Sequence, residues 1–245
     1  MISVVIPAYN EEAHIENTLK VVLETLESIK NPINDFELIV VDNGSMDKTS
    51  EVVEYFSKKD PRVKFIKIEE KGKGLALKEG SLVANGKYIC FLDADLDLEP
   101  WHIKHFFEIM ETSNADIVIG SKRHPLSKVE GYPLSRRILS YCYQIMNKIL
   151  FNLDVRDTQV GLKLFKAEVL KDVLPRILCK RYAFDLEILV NAKNLGYTIV
   201  EAPINLKWKR EHNRIKIRDI WNIFIDTMAI FYRLKILKFY DRKVS

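Results

Sequence analysis

The sequence predicts an α/β protein built on a mostly parallel sheet with helices on both faces. Three observations predict it. Short strand-like runs are apolar throughout rather than alternating, as strands buried on both faces are. They alternate with stretches whose apolar residues recur every three or four positions, the pattern of helices that cover a sheet. Polar clusters follow the runs, where ligands bind beyond the carboxyl ends of parallel strands.

Residues 3–7 form the first apolar run, and 11–26 carry a helical stripe through Ile15, Leu19, Val22, Leu23 and Leu26. Residues 36–41 are a second strand, ending at the turn-rich Asp42-Asn43-Gly44-Ser45. Residues 49–56 are helical and 63–68 are a third strand. After Lys71-Gly72-Lys73-Gly74 comes a helix through Leu75, Leu77, Leu82 and Val83, then a strand at 88–92. A helix at 101–110 leads to a strand at 116–120. The second half differs in character. Residues 125–133 are a polar connector, and 134–150 read as an amphipathic helix with Ile138, Tyr141, Cys142, Ile145 and Ile149 on its stripe. Arg136, Arg137 and Lys148 lie off that stripe. The chain returns to the core through 161–165, a helix at 184–193 and a strand at 198–201. Residues 217–239 are a last helical stretch with a narrow polar strip of Arg218, Asn222, Asp226 and Arg233. Residues 1–216 are therefore expected to form the catalytic unit, with 125–151 as an inserted interface helix. Residues 217–245 are expected to form an amphipathic, basic C-terminal helix.

The chain has 245 residues, 47% hydrophobic and 29% charged, as ordinary globular proteins do. Its net charge of +4 is too mild to indicate nucleic-acid binding. Cys90, Cys142 and Cys179 are odd in number and widely spaced, so neither a disulfide framework nor a zinc site is expected. The first residues lack the pattern of a signal peptide, and no uncharged apolar run reaches the length of a bilayer span. A cytoplasmic protein, peripheral on the cytoplasmic face of a membrane, is the expectation.

Asp93-Ala94-Asp95-Leu96-Asp97 carries the most chemistry, because it follows the strand at 88–92. In extended backbone, residues two apart project to one side, so three carboxylates would converge and demand a cation. Hard oxygen ligands suit Mg²⁺ or Mn²⁺ bridging to a diphosphate. An isolated acidic run is more often a solvated loop; its place after a buried strand reverses that reading. Pro7-Ala8-Tyr9-Asn10-Glu11 follows the first strand, offering an aromatic face for a base and a carboxylate for ribose hydroxyls. Asp42 closes the second, where it could accept N–H groups of a base. Lys71-Gly72-Lys73-Gly74 opens a helix, where glycine backbone and positive charge can approach an anion, but its spacing is not that of a P-loop. Gly120-Ser121-Lys122-Arg123 ends the fifth strand with two cations. Each cluster alone is ordinary turn chemistry; their shared place at one sheet edge is the signal.

In this order, these motifs resemble glycosyltransferase family 2 with its GT-A fold. Arg156-Asp157-Thr158-Gln159-Val160-Gly161-Leu162-Lys163-Leu164-Phe165 and Phe184-Asp185-Leu186-Glu187-Ile188-Leu189 resemble the dolichyl-phosphate glucosyltransferases and, less closely, the dolichol-phosphate mannose synthases. The resemblance implies that Pro7, Tyr9, Glu11 and Asp42 line the nucleoside, with Lys73, Asp93 and Ala94 also on the nucleotide-sugar. It implies that Asp95 and Asp97 hold the metal, although mannose synthases often carry Gln at the position of Asp97. Lys122, where the family has arginine, and the pair Arg214 and Lys216 would meet phosphates and, with Asp95, carry the catalysis. The implied reaction moves a hexose from UDP-glucose or GDP-mannose to a polyprenyl phosphate such as dolichyl phosphate, with inversion to a β-linked product.

Such an acceptor is already largely anionic near neutrality, since a phosphate monoester has a second pKa of about 6. The need is for cations on the acceptor side; Arg136, Arg137, Lys122, Arg214 and Lys216 are the candidates, with Arg136 and Arg137 expected on the acceptor phosphate. Asp157, Asp185 and Glu187 could position cations or sugar hydroxyls, while Asp157 and Gln159 equally suit structural hydrogen bonding, so whether these four are catalytic or structural stays open. The two late helices combine apolar faces with basic residues, as helices at an anionic membrane surface do. For the first two turns after Ile217, packing on the core is expected instead. The basic end with Arg233, Lys235, Lys238, Arg242 and Lys243 is expected to meet headgroups. The alternatives are a family 2 transferase acting on a polysaccharide or protein glycan, and an inert nucleotide-binding or scaffold module.

Overall fold

The structure, a computed structural model, describes residues 1–29, 35–208 and 217–241. Its strands are β1 (Ile2–Ala8), β2 (Phe36–Asn43), β3 (Val63–Ile68), β4 (Tyr88–Phe91), β5 (Ile117–Ser121), β6 (Lys128–Glu130), β7 (Lys163–Lys166), β8 (Ile199–Pro203) and β9 (Asn205–Lys207). Its helices are α1 (Ile15–Ser28), α2 (Thr49–Lys59), α3 (Lys73–Leu82), α4 (His102–Ser113), α5 (Leu134–Phe151), α6 (Ala167–Val173), α7 (Phe184–Asn194) and α8 (Ile217–Phe231). Seven strands form one sheet in the order β3-β2-β1-β4-β7-β5-β8, and β6 pairs with β9 in a small second sheet.

The apolar runs are buried on both faces, as their composition requires. Val4, Ile6, Leu38 and Val40 point to one side, where they pack with Leu19 and Val22 of α1 and Phe106 of α4. Val5, Ile39, Val41 and Phe91 point to the other, against Ala76 and Leu77 of α3 and Leu186 and Leu189 of α7. Each such fully buried aliphatic side chain contributes about 1.5–3 kcal/mol. The sheet is mostly parallel, as expected, with one exception. β7 runs antiparallel to both β4 and β5, inserting the return segment between them.

Helix α7 is buried along Phe184–Ala192, so its polar groups need partners. Asp185 meets Lys163 Nζ at 2.6 Å. Glu187 Oε2 accepts N–H groups from Leu178 at 3.0 Å and Cys179 at 2.7 Å. Its Oε1 accepts from Arg233 at 2.9 Å and from the Tyr240 hydroxyl.

The late helices are held by few contacts. Tyr143 of α5 shares a 3.1 Å hydrogen bond with Thr227 of α8, and Phe151 meets Phe231 edge-on. The apolar stripe of α5 faces outward: Ile138 is 56% exposed, Tyr141 53% and Ile149 76%. On α8, Trp221 is 61% and Ile225 58% exposed, with Ile220 and Phe224 also exposed. The first turns after Ile217 therefore do not pack their apolar residues on the core, contrary to expectation. Periodicity shows that a face is apolar, not what it meets. The α-helix ends at Phe231, a wider turn spans Tyr232–Ile236, and the chain reverses at Lys238 with a φ of 46°. The reversal buries Tyr240 beside Glu187, and it takes Arg233 out of the group expected to meet headgroups. Arg242 and Lys243 lie outside the described residues. Among the described residues no helix is long and apolar enough to cross a membrane.

Candidate active site

β1 pairs with β2 on one side and β4 on the other, so the chain's winding changes direction beside β1. A crevice opens at such a switch point, beyond the carboxyl ends of the two strands. The segments at its rim follow β1, β2 and β4. The first two are laced together across about 35 residues of sequence. Asn10 N–H donates to Ser45 Oγ at 2.9 Å, and Asn10 Oδ1 accepts from Met46 N–H at 2.9 Å. Glu11 N–H donates to Thr49 Oγ1 at 2.8 Å. Asn10 takes a φ of 51°, a left-handed conformation that asparagine tolerates better than most residues.

The acidic run after β4 is not extended. The backbone turns at Ala94 and Asp95, and Leu96 has a φ of 53°. Asp95 Oδ1 accepts the Asp97 N–H at 3.0 Å, closing the turn. Three carboxylates therefore do not converge: among the described residues no three His, Cys, Asp or Glu side chains group as metal ligands. Asp95 and Asp97 remain, two hard-oxygen donors in the lining of the cavity. That set fits Mg²⁺ or Mn²⁺, because such ions are commonly held by one or two carboxylates plus substrate phosphates.

The crevice is a cavity of about 1070 Å³. Pro7, Tyr9, Glu11, Lys73, Asp93, Ala94, Asp95, Asp97, Lys122 and Arg136 all line it, as expected from the sequence. Lys73 Nζ meets Asp93 Oδ1 at 2.6 Å. Enclosure disfavours the lysine's charge, but Asp93 and Asp185 more than offset this and raise its pKa. A Cβ at Gly161 would stand 2.0 Å from Asp93 Oδ2, so any side chain there would displace the carboxylate that pairs with Lys73. Lys122 Nζ meets the buried Asp157 at 2.8 Å, so its ammonium is oriented by a carboxylate. The Arg136 guanidinium stacks over Trp208 at 4.6 Å, and Lys71 Nζ lies 3.7 Å from the Tyr9 ring centroid. His102 steadies the adjoining small sheet: its Nε2 accepts the Asn205 N–H at 3.0 Å, and burial lowers its pKa.

Two expected residues stand elsewhere. Asp42 is fully buried, does not line the cavity, and accepts hydrogen bonds from Ser45 N–H and Ser50 Oγ; its neighbour Asn43 reaches the cavity. Arg137 is exposed on the outer side of α5, away from the lining to which Arg136 belongs. Consecutive helical residues lie about 100° apart, so one of such a pair turns away. Arg214 and Lys216 lie outside the described residues. The sequence reading missed Tyr132, Asn147, Tyr182 and Trp208, which also line the cavity. Trp208 stands next to a strand too short to recognise, and Asn147 is a lone polar residue in an amphipathic pattern.

The cavity lining is mixed. Carboxylates and lysines that follow the strands line it together with Leu139 and Met146 of α5 and Ile223 and Phe224 of α8.

A family model described as glycosyl transferase family 2 matches residues 3–174. Glycosyltransferase AglD of Haloferax volcanii is 29% identical over 245 residues, covering 100% of this chain and 39% of that protein. The dolichyl-phosphate beta-glucosyltransferase of Dictyostelium discoideum is 34% identical over 214 residues, 83% of this chain and 65% of that protein. This chain thus spans less than two thirds of either relative. Among solved structures, glucosyl-3-phosphoglycerate synthase from Mycobacterium tuberculosis, in complex with Mn²⁺, UDP-glucose and phosphoglyceric acid, superposes with a TM-score of 0.69. It is 19% identical, with 95% of this chain and 78% of that chain covered. The shared fold is GT-A.

Proposed function

The chain belongs to glycosyl transferase family 2, and from that premise we propose that it transfers glucose from UDP-glucose to a polyprenyl phosphate such as dolichyl phosphate. The observation that carries this reading is the cavity itself, which combines carboxylates and lysines with apolar residues of α5 and α8 in one lining. The charged groups suit a donor with a diphosphate, and charged and apolar groups together suit an acceptor with a phosphate head and an isoprenoid tail. The names of the relatives support the lipid phosphate, and those of the structural neighbours support a uridine nucleotide.

Tyr9 and Pro7 offer the base a flat wall, with Asn43 in the place first expected of Asp42. Lys73, fixed by Asp93, faces the diphosphate. Asp95 and Asp97 would hold a divalent cation, which would neutralise charge on the departing diphosphate when bound. Arg136 and Lys122 hold the acceptor phosphate near the sugar, so two anions can approach. The C1–oxygen bond to the diphosphate breaks as an acceptor phosphate oxygen bonds C1 from the opposite face, and the electron pair leaves with UDP. No strong base is needed, because the acceptor oxygen is already anionic. Arg214 and Lys216 are retained in this proposal as phosphate-facing cations.

The test is transfer of labelled glucose to detergent-dispersed polyprenyl phosphate, with Arg136→Ala and Arg137→Ala compared. Arg136→Ala is expected to raise the acceptor KM roughly tenfold to a hundredfold, the effect of one charge-assisted hydrogen bond. Arg137→Ala should behave as wild type. Equal behaviour of the two variants, or transfer to glycan acceptors but not to the lipid, rejects the assignment.

The exposed apolar faces of α5 and α8 support peripheral attachment to a membrane surface. Lys148, Lys235 and Lys238 add charge near them, so binding is expected to combine both contributions. In sedimentation with phosphatidylserine vesicles, high salt should weaken binding by screening the headgroups. Identical binding to neutral and anionic vesicles at every salt concentration would contradict it.

A further inference from the structure

Among the described residues, five buried polar atoms of the cavity lining make no well-formed hydrogen bond: Asn43 Oδ1 beside the proposed base site and, apart from it, both amide heteroatoms of Asn147, Thr158 Oγ1 and Gln159 Nε2. Asn147 is 1% exposed and Thr158 4%. An unpaired buried amide or hydroxyl is costly, so a folded protein seldom keeps one without use. Tyr143, one helical turn away, interacts with Asn147, but its hydroxyl is shared with Thr227 at 3.1 Å and a single hydroxyl cannot satisfy both amide heteroatoms.

The segment carrying Thr158 and Gln159 is rigidly placed. Glu201 Oε1 accepts N–H groups from Arg156 at 2.7 Å and Asp157 at 3.2 Å. Asp157 Oδ1 in turn accepts the Gln159 N–H at 3.2 Å. The segment ends at Gly161, against the carboxylate of Asp93 that pairs with Lys73. It therefore abuts the Lys73–Asp93 pair assigned to the diphosphate, and the sugar joined to that diphosphate must lie close by. Lys122 beside this segment is oriented by Asp157, and Arg156 by Glu201. The amides and the hydroxyl themselves carry no charge and offer both donors and acceptors, which matches the hydroxyls of a polyol.

Resting on the donor reading above, we infer that Asn147 and Thr158, with Gln159, form the subsite that binds the hydroxyl groups of the transferred hexose. The amides can each give and take a hydrogen bond, so vicinal hydroxyls are the fitting ligand. The segment is held by its own backbone contacts, so the subsite is formed before the sugar arrives.

Near-isosteric changes separate this from a structural role. Asn147→Leu and Thr158→Val each remove the polar atoms while filling the same space. Calorimetric affinity for UDP with Mn²⁺ should stay within about twofold of wild type, whereas kcat/KM for UDP-glucose at fixed polyprenyl phosphate should fall roughly tenfold for each. The melting temperature without ligand should hold or rise, because an unpaired buried group has been removed. Wild-type kcat/KM in both variants overturns the subsite, and so does a lowered melting temperature in both, which would mark the side chains as structural. A wild-type chain that neither binds UDP nor transfers from UDP-glucose overturns the donor reading beneath it instead.

Discussion

Asp95→Asn is expected to abolish metal-dependent transfer while leaving the fold intact. Asparagine keeps an oxygen for the Asp97 N–H, the 3.0 Å contact that closes the turn after β4. What it loses is a full negative charge at a site with only two hard donors. A position that neutralises charge developing on a leaving group commonly contributes about 10²–10³ in rate. Loss of a metal ligand should reach at least that range. The check is initial rate against Mn²⁺ concentration, with a melting curve of the free protein alongside. A variant with wild-type rate and an unchanged Mn²⁺ requirement would remove Asp95 from the metal site.

Glu187→Ala is expected to cause the largest loss of stability. Its carboxylate has 0% exposure and four partners: two backbone N–H groups, Arg233 and the Tyr240 hydroxyl. Removing one member of a buried pair strands the other, at about 3–5 kcal/mol. For a chain of this size that lowers Tm by roughly 6–20 °C. The damage should also reach the donor site. Glu187 fixes Cys179, and the next carbonyl, of Lys180, accepts the Leu75 N–H at 3.1 Å at the start of the helix that carries Lys73. Donor affinity should therefore weaken in Glu187→Ala even below its melting transition. A double-mutant cycle with Arg233→Ala measures the coupling; strict additivity of the two losses would show that the pair is not the anchor.

Much of this protein is readable in one dimension. The parallel strands, their covering helices and the polar clusters at the strand ends all appear in sequence, because each is a local pattern. An apolar run marks a strand buried on both faces, and adjacency places Pro7–Glu11 and Asp93–Asp97 directly after β1 and β4. Of the ten cavity-lining residues anticipated from sequence, nine end or follow a strand or open a helix in this way, and Arg136 within α5 does not. Long-range pairing decides the remainder. Nothing local marks β7 as antiparallel, since its direction depends on β4 and β5, far away in the chain. The acidic run turns rather than extends, because the Asp95 side chain hydrogen-bonds its own backbone two residues on. Ser45 and Ser50 draw Asp42 inward and leave Asn43 at the cavity. Helical rotation separates Arg136 from Arg137, and only the packed position of α5 says which one faces inward. The outward apolar faces of α5 and α8 follow the same logic: periodicity defines a face, and packing selects what that face meets.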